Sequence, residues 1–170
     1  TSDKNNNLKD AKTIEIAKKS VKNDFNNISE GLGLNNNNWE NAGDDKKDGV
    51  INLETYFPKG QSSTSGWREA LVYRSFVNVK IQNPIPVVYD IYETWLRNQL
   101  PDIQIKNQEE ENGITFSAYS NAGRVYLSGK VLKGSLDTSV YILQYTIKND
   151  GKNDVEKKAN QWSYLLAKVK

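Results

Sequence analysis

The side chains that could do chemistry in this chain are carboxylates, lysines, tyrosines and serines, because its 170 residues include no histidine and no cysteine. Composition therefore excludes a Ser/His/Asp triad, a Cys/His dyad and an H-E-x-x-H zinc site. What remains is carboxylate acid–base chemistry on a glycan or other polar substrate, with Glu54, Glu69 and Asp90 as the candidates. A glycosidase would need two of them in one cleft, roughly 5–9.5 Å apart. No second carboxylate stands at a defined spacing from Glu69, so the expectation is a non-enzymatic protein with no cofactor and no metal. The stretch from Asp44 to Gly49 alternates like a calcium loop, but its third position is Lys46 and its twelfth is Thr55. Both the charge and the bidentate ligand of such a loop are missing.

A second candidate is the hydroxyl-rich stretch Lys59-Gly60-Gln61-Ser62-Ser63-Thr64-Ser65-Gly66, which ends at Trp67-Arg68-Glu69. A phosphate-binding loop needs G-x-x-x-x-G-K-[ST], and here the glycines are six apart with Trp67 where the lysine belongs. The stretch reads instead as a strand connection, longer than the usual two to five residues of a hairpin, which leaves room for binding. Aromatic side chains dominate binding hot spots, so Trp67, Glu69, Arg68, Lys59 and Gln61 are the expected contact residues. Tyr119, Tyr126, Tyr141 and Tyr145, with Arg124, Lys130 and Lys148 nearby, could stack bases and track phosphates. Tyrosine is also an ordinary strand residue, and packing accounts for these four.

The elements that must position these groups follow from periodicity. Residues 1–13 contain Leu8 as their one large apolar side chain and read as a flexible polar tail, leaving 14–170 as a single domain. Ile14, Ala17, Val21, Phe25 and Ile28 recur at helical spacing until Gly31 and Gly33. The Asn- and Asp-rich segment Leu34–Gly49 reads as a long loop. Alternation from Ile51 to Phe57 and from Trp67 to Val77 predicts two strands. Pro84 and Pro86 introduce a helix from about Val87 to Leu100, whose stripe Val88, Ile91, Tyr92, Trp95 and Leu96 should face the core. Ile103 and Ile105 suggest a short edge strand, and Ile114–Tyr119, Arg124–Val131 and Ser139–Lys148 an antiparallel meander. Asn153 with Glu156 predicts a capping box for a last helix carrying Val155, Ala159, Trp162, Leu166 and Val169 on one face. Trp39 and Trp67 flank loops, where an aromatic either caps the core or makes a contact. The fold class is therefore α+β, an antiparallel sheet of five to six strands with helices packed on it.

With 36% hydrophobic residues the chain can bury a core, and its net charge of +2 creates no global field for nucleic acid, which is not expected as a partner. No stretch approaches the roughly 18 apolar residues of a membrane-spanning helix. The chain opens on Thr1 and contains no methionine, which leads us to expect a secreted or periplasmic bacterial protein after signal-peptide removal.

Tyr56-Phe57-Pro58-Lys59-Gly60-Gln61, followed by Trp67-Arg68-Glu69, resembles a group of small exported bacterial proteins of unknown function. These carry an aromatic-x-Pro-x-Gly-Gln turn before a strand that starts Trp-x-Glu. The element order is similar to the photosystem accessory and Ran-binding protein superfamily. The resemblance implies an exported protein that acts by binding a protein partner, with a role in host interaction as one setting. A structural component or substrate of a secretion system is the alternative from another class, and the carboxylate enzyme is the third.

Overall fold

The computed structural model describes residues 2–36 and 38–170, with side-chain burial from residue 10 onward. Seven strands form one sheet in the order β1-β2-β3-β7-β6-β5-β4, with every neighbouring pair antiparallel. In chain order they are β1 (Trp39–Lys47), β2 (Val50–Pro58), β3 (Glu69–Phe76), β4 (Gln104–Glu110), β5 (Gly113–Ser120), β6 (Val125–Lys133) and β7 (Val140–Lys148). Helix α1 (Ser2–Gly31) precedes β1, α2 (Pro84–Gln99) joins β3 to β4, and α3 (Val155–Ala167) follows β7. The chain thus builds β1 to β3 side by side, crosses on α2 to the far edge, and returns through β4, β5 and β6 until β7 pairs with β3.

Four expectations change. The sheet has seven strands because the segment read as a loop contains β1, which pairs with β2 across the turn Asp48-Gly49 at φ 54° and 78°. Asp-Gly with positive φ at both positions is the two-residue hairpin signal. The strand is hidden in the sequence because it is an edge: Glu40 to Lys47 are all exposed, so no apolar alternation marks it. Helix α1 starts at Ser2, not Ile14, so the polar segment 2–13 is helical where a tail was expected; Thr1 lies outside the described residues. Asp10 to Thr13 are exposed, Ile14 is half-buried and Ala17 buried, which is why the helical period is marked from Ile14. Helix α2 begins with Pro84 as its first residue, after Asn83 in the left-handed region. Finally, α3 is preceded by Asp154 and its side chain makes no capping bond; that carboxylate is taken by Arg68 instead.

Two layers cover the sheet. On one face, α1 and α3 seal a core of Val21, Phe25, Leu71, Tyr73, Tyr145 and Leu166. Polar side chains in this layer form chains: Ser29 Oγ donates to the Tyr56 hydroxyl at 2.9 Å, and that hydroxyl donates to Glu54 Oε1. Burial pushes the Glu54 carboxyl up, against the lowering effect of the Tyr56 bond. Lys130, fully buried, donates from Nζ to the carbonyls of Ala167 and Val169, placing a cation at the carboxyl end of α3, where the helix dipole favours it. Burial pulls the Lys130 ammonium down.

On the other face α2 stands alone among the described residues. Val88, Tyr89, Tyr92 and Leu96 pack on Ile114, Phe116, Leu127 and Val131. Its contacts are with β5, β6 and β7. A helix about 10 Å across cannot cover seven strands spaced at about 4.8 Å. The half of this face on β2 and β3 is left without a covering helix.

Gly129 on β6 is where the Phe116 ring lies against the backbone. A Cβ there would collide with that ring and stand 2.6 Å from the Leu143 carbonyl oxygen. Gly129→Ala is expected to destabilise the fold by about 1–3 kcal/mol through overpacking, measured by urea denaturation, whereas an alanine at Gly31, with open space around it, should not.

Candidate functional site

The residues expected to bind are drawn apart by a bend at Arg68, just before β3 begins. Within β3 alternate side chains share a face, so Glu69 goes with Leu71 and Tyr73 towards the α1/α3 layer, where Tyr145 donates its hydroxyl to Oε2 at 2.8 Å and Lys158 Nζ stands 3.3 Å away. Burial and the neighbouring Glu69 carboxylate push the Tyr145 hydroxyl well above its ordinary range. Arg68 clamps α3 to the sheet through Asp150 (Nε to Oδ2, 2.6 Å) and Asp154. Gln61 accepts the backbone N–H of Arg68 at 2.7 Å and of Glu69 at 3.2 Å through Oε1. The 59–66 loop is closed on itself by the Ser62–Gly66 bridge and by Ser62 Oγ, which accepts from the Ser65 N–H. Lys59 is exposed beside a separate recess near Trp39 and Tyr56. Of the five, Trp67 alone faces the uncovered half of the sheet.

The carboxylates do not converge either. Glu54 is held by Tyr56 and Glu69 by Tyr145, both on the α1/α3 side, while Asp90 is exposed on α2 across the sheet. Among the described residues no three acidic side chains are grouped to hold a metal ion. Tyr141 and Tyr145 are buried and Tyr119 packs on Tyr126 with ring centroids 4.6 Å apart, so these tyrosines serve packing. Trp39 packs edge-on against Trp162, 5.4 Å between centroids, and caps the α3 side.

What the fold does assemble is a groove between α2 and the open half of the sheet. It consists of two recesses that meet at Trp95. One, of about 260 Å³, is lined by Arg74, Phe76, Val88, Ile91, Tyr92 and Trp95. The other, of about 440 Å³, includes Phe57, Trp67, Val72, Leu96 and Leu127 in its walls. A cleft of about 470 Å³ between α1 and α3 is larger, but Asp24 at its wall already accepts from the Tyr141 and Ser135 hydroxyls.

Helix α2 was expected to bury Ile91 and Trp95, and it does not: they are 65% and 44% exposed, with Val87 at 42%. The helix is apolar on two adjoining stripes. Positions 88, 92 and 96 face the core, and 87, 91 and 95 repeat at i, i+4, i+8 one residue round, at the groove side. Across from them Phe76 at the end of β3 is 41% exposed.

Three polar groups sit among these apolar walls. The Arg74 guanidinium carbon lies 5.2 Å from the centroid of the Trp95 ring, within cation–π range. Tyr92, only 5% exposed, stacks on Trp95 with centroids 5.7 Å apart and an 18° interplanar angle. Burial raises its hydroxyl above the ordinary tyrosine range, and the nearby Arg74 charge opposes this. Arg74 Nε, Tyr92 Oη and Gln144 Oε1 are buried without a hydrogen bond of normal geometry. Gln144 uses only its amide, which donates to Thr146 Oγ1 at 2.9 Å. At the other end Lys148 Nζ stands 4.0 Å from the centroid of the Trp67 ring, and Trp67 leans on Phe57. Arg74, Ile91, Trp95 and Gln144 were not singled out as binding residues by the sequence. The available signal was the width of the apolar face on α2, which exceeds what one sheet contact needs.

Two expectations test this division between structural and surface-facing groups. Bonding to Arg68 holds the Asp150 carboxyl at about 2 rather than 3.8, and lowers Asp154 too. The unfolded chain therefore binds more protons in that window, so stability is lost as pH falls through it. Arg68→Ala should flatten this acid limb in denaturation curves recorded from pH 5 to pH 2. On α2, Ile91→Ser should change stability by no more than about 0.5 kcal/mol, while Leu96→Ala, one turn on and buried, should cost about 2–5 kcal/mol.

No family model and no curated protein matches this sequence. Among solved structures, the chain is similar to the crystal structure of the Ran-binding protein Mog1p of Saccharomyces cerevisiae, at a TM-score of 0.48 and 9% identity, over 78% of this chain and 82% of that one.

Proposed function

We propose that this protein is a non-enzymatic interaction module that docks a partner polypeptide in the groove between α2 and the β2–β3 half of the sheet. The observation that carries this reading is the second apolar stripe of α2. Ile91 and Trp95 stay largely exposed beside Phe76, Val72 and Trp67, although the same helix buries its other stripe completely enough to seal a core. Contiguous exposed apolar surface of this kind marks interaction sites in folded proteins. Tryptophan and arginine, both present here, are the side chains most enriched at the centres of protein interfaces. Helix-in-groove and strand-along-sheet docking both place large side chains into recesses such as these two.

Glu54 and Glu69 each committed to its own tyrosine on the α1/α3 side, and Asp90 exposed across the sheet, support a binding role over carboxylate catalysis. An exported setting, secreted or periplasmic, is part of the proposal and is supported by the cysteine-free composition and by the Tyr56–Glu69 resemblance.

Site-specific photo-crosslinking tests the reading. A photo-reactive phenylalanine replaces Ile91 in one variant and Tyr164, 63% exposed on α3 across the sheet, in another. Protein adducts formed from position 91 and not from position 164 are expected. Adducts from 164 alone would place the interaction on the α3 layer and sink the groove reading.

A further inference from the structure

We propose that the docked segment carries a carboxylate beside its large apolar side chains, and that Arg74 is the residue that receives it. This rests on the groove being the docking site. Arg68, Arg97 and Lys158 each have a carboxylate within 4.0 Å, but no described carboxylate stands at ion-pair distance from Arg74. It is the one charged side chain lining either recess. The second cation at the rim, Lys148, is also positive, so the groove as a whole is apolar and cationic.

A guanidinium in this position is tolerable while water reaches it. Covering the groove with a purely apolar partner would strip that water and leave a buried, unpaired cation, which strongly disfavours such a partner. A partner that brings a carboxylate removes this cost and gains charge-assisted hydrogen bonds. The donors a carboxylate would reach are the two outer guanidinium nitrogens of Arg74, while Nε and the Tyr92 hydroxyl lie buried behind them on the same wall without a hydrogen bond of normal geometry. The Trp95 ring fixes the guanidinium from one side through the cation–π contact.

The occupant is a polypeptide rather than a small acid because the surface to be covered is broad. A small acid filling the recess of about 260 Å³ would leave the adjoining one of about 440 Å³, with Phe57 and Trp67 in its walls, unfilled. A second copy of this chain docking groove to groove is disfavoured by charge, since a two-fold contact would oppose Arg74 to its own equivalent.

The test is NMR titration of the folded full chain with acetyl-Leu-Phe-Glu-Leu-amide and with its glutamine counterpart. The glutamate peptide should shift the Trp95 indole N–H and the Arg74 Nε–H, and saturate at a concentration lower by about tenfold than the glutamine peptide. Arg74→Gln, with the rest of the spectrum unchanged, should erase that preference, and Arg74→Lys should restore part of it. Equal affinity of the two peptides at Trp95 would leave the docking groove standing and overturn the carboxylate. No shift at Trp95 with either peptide would overturn both readings. Dodecanoate displacing the glutamate peptide at lower concentration would overturn the polypeptide occupant in favour of an apolar acid. Concentration-dependent dimerisation abolished by Trp95→Glu would overturn it in favour of a second copy.

Discussion

The structure depends on a mismatch of widths: among the described residues α2 is the only helix laid over one face of a seven-stranded sheet. The connection from β3 to the far edge strand β4 must cross that face, and α2 is the crossing. Because β4 to β7 then fold back towards β3, the apolar residues that need cover are those of β5, β6 and β7, and α2 settles on them. The β2–β3 half of the same face has no helix left to cover it. The groove is therefore a consequence of connectivity, and α2 and β3 are placed to be its two walls.

The opposite layer is built under the contrary constraint, since two helices share it and its buried tyrosine hydroxyls and carboxylates need partners. Tyrosines supply much of the volume there, and their hydroxyls end on partners from the helices or from strand carboxylates: Tyr73 on Ser29, Tyr141 on Asp24, Tyr145 on Glu69. Such bonds contribute about 1 kcal/mol each when made, and cost more when broken in a buried place. This fixes the register of α1 and α3 on the sheet more narrowly than apolar packing would. It also explains why Glu54, Glu69, Arg68 and Lys130, which look available for chemistry in the sequence, are committed to structure. The groove side shows the reverse pattern, with Arg74, Tyr92 and Gln144 holding unused bonding capacity among exposed aromatic and aliphatic side chains.

Much of the fold was legible in the sequence because burial writes a period. The faces of α1 after Ile14, of α3 after Val155, and the alternation in β2, β3 and β5 to β7 are all consequences of one side meeting a core. Where burial is absent the period is absent too: β1 is an exposed edge carried by backbone pairing, and its one local sign was the Asp48-Gly49 turn. Trp67 was found from its place beside a long loop, and Glu69 was grouped with it because alternation puts residues two apart on one face; the chain bends at Arg68 before β3 begins, and the two end on opposite sides of the sheet.

The sequence by itself determined the types of the elements that bury a face, the antiparallel α+β class and the exclusion of histidine- and cysteine-based chemistry, because these follow from local spacing and from which side chains exist. It also held the two apolar stripes of α2, but nothing local distinguishes a stripe that meets a core from one that does not. Only the tertiary structure decided that Val88, Tyr92 and Leu96 are covered while Ile91 and Trp95 are open, and that Arg74 stands unpaired between them. The physical reason is that burial and pairing are properties of neighbours brought together over long sequence distance, and here the neighbours were set by the path of one crossover helix.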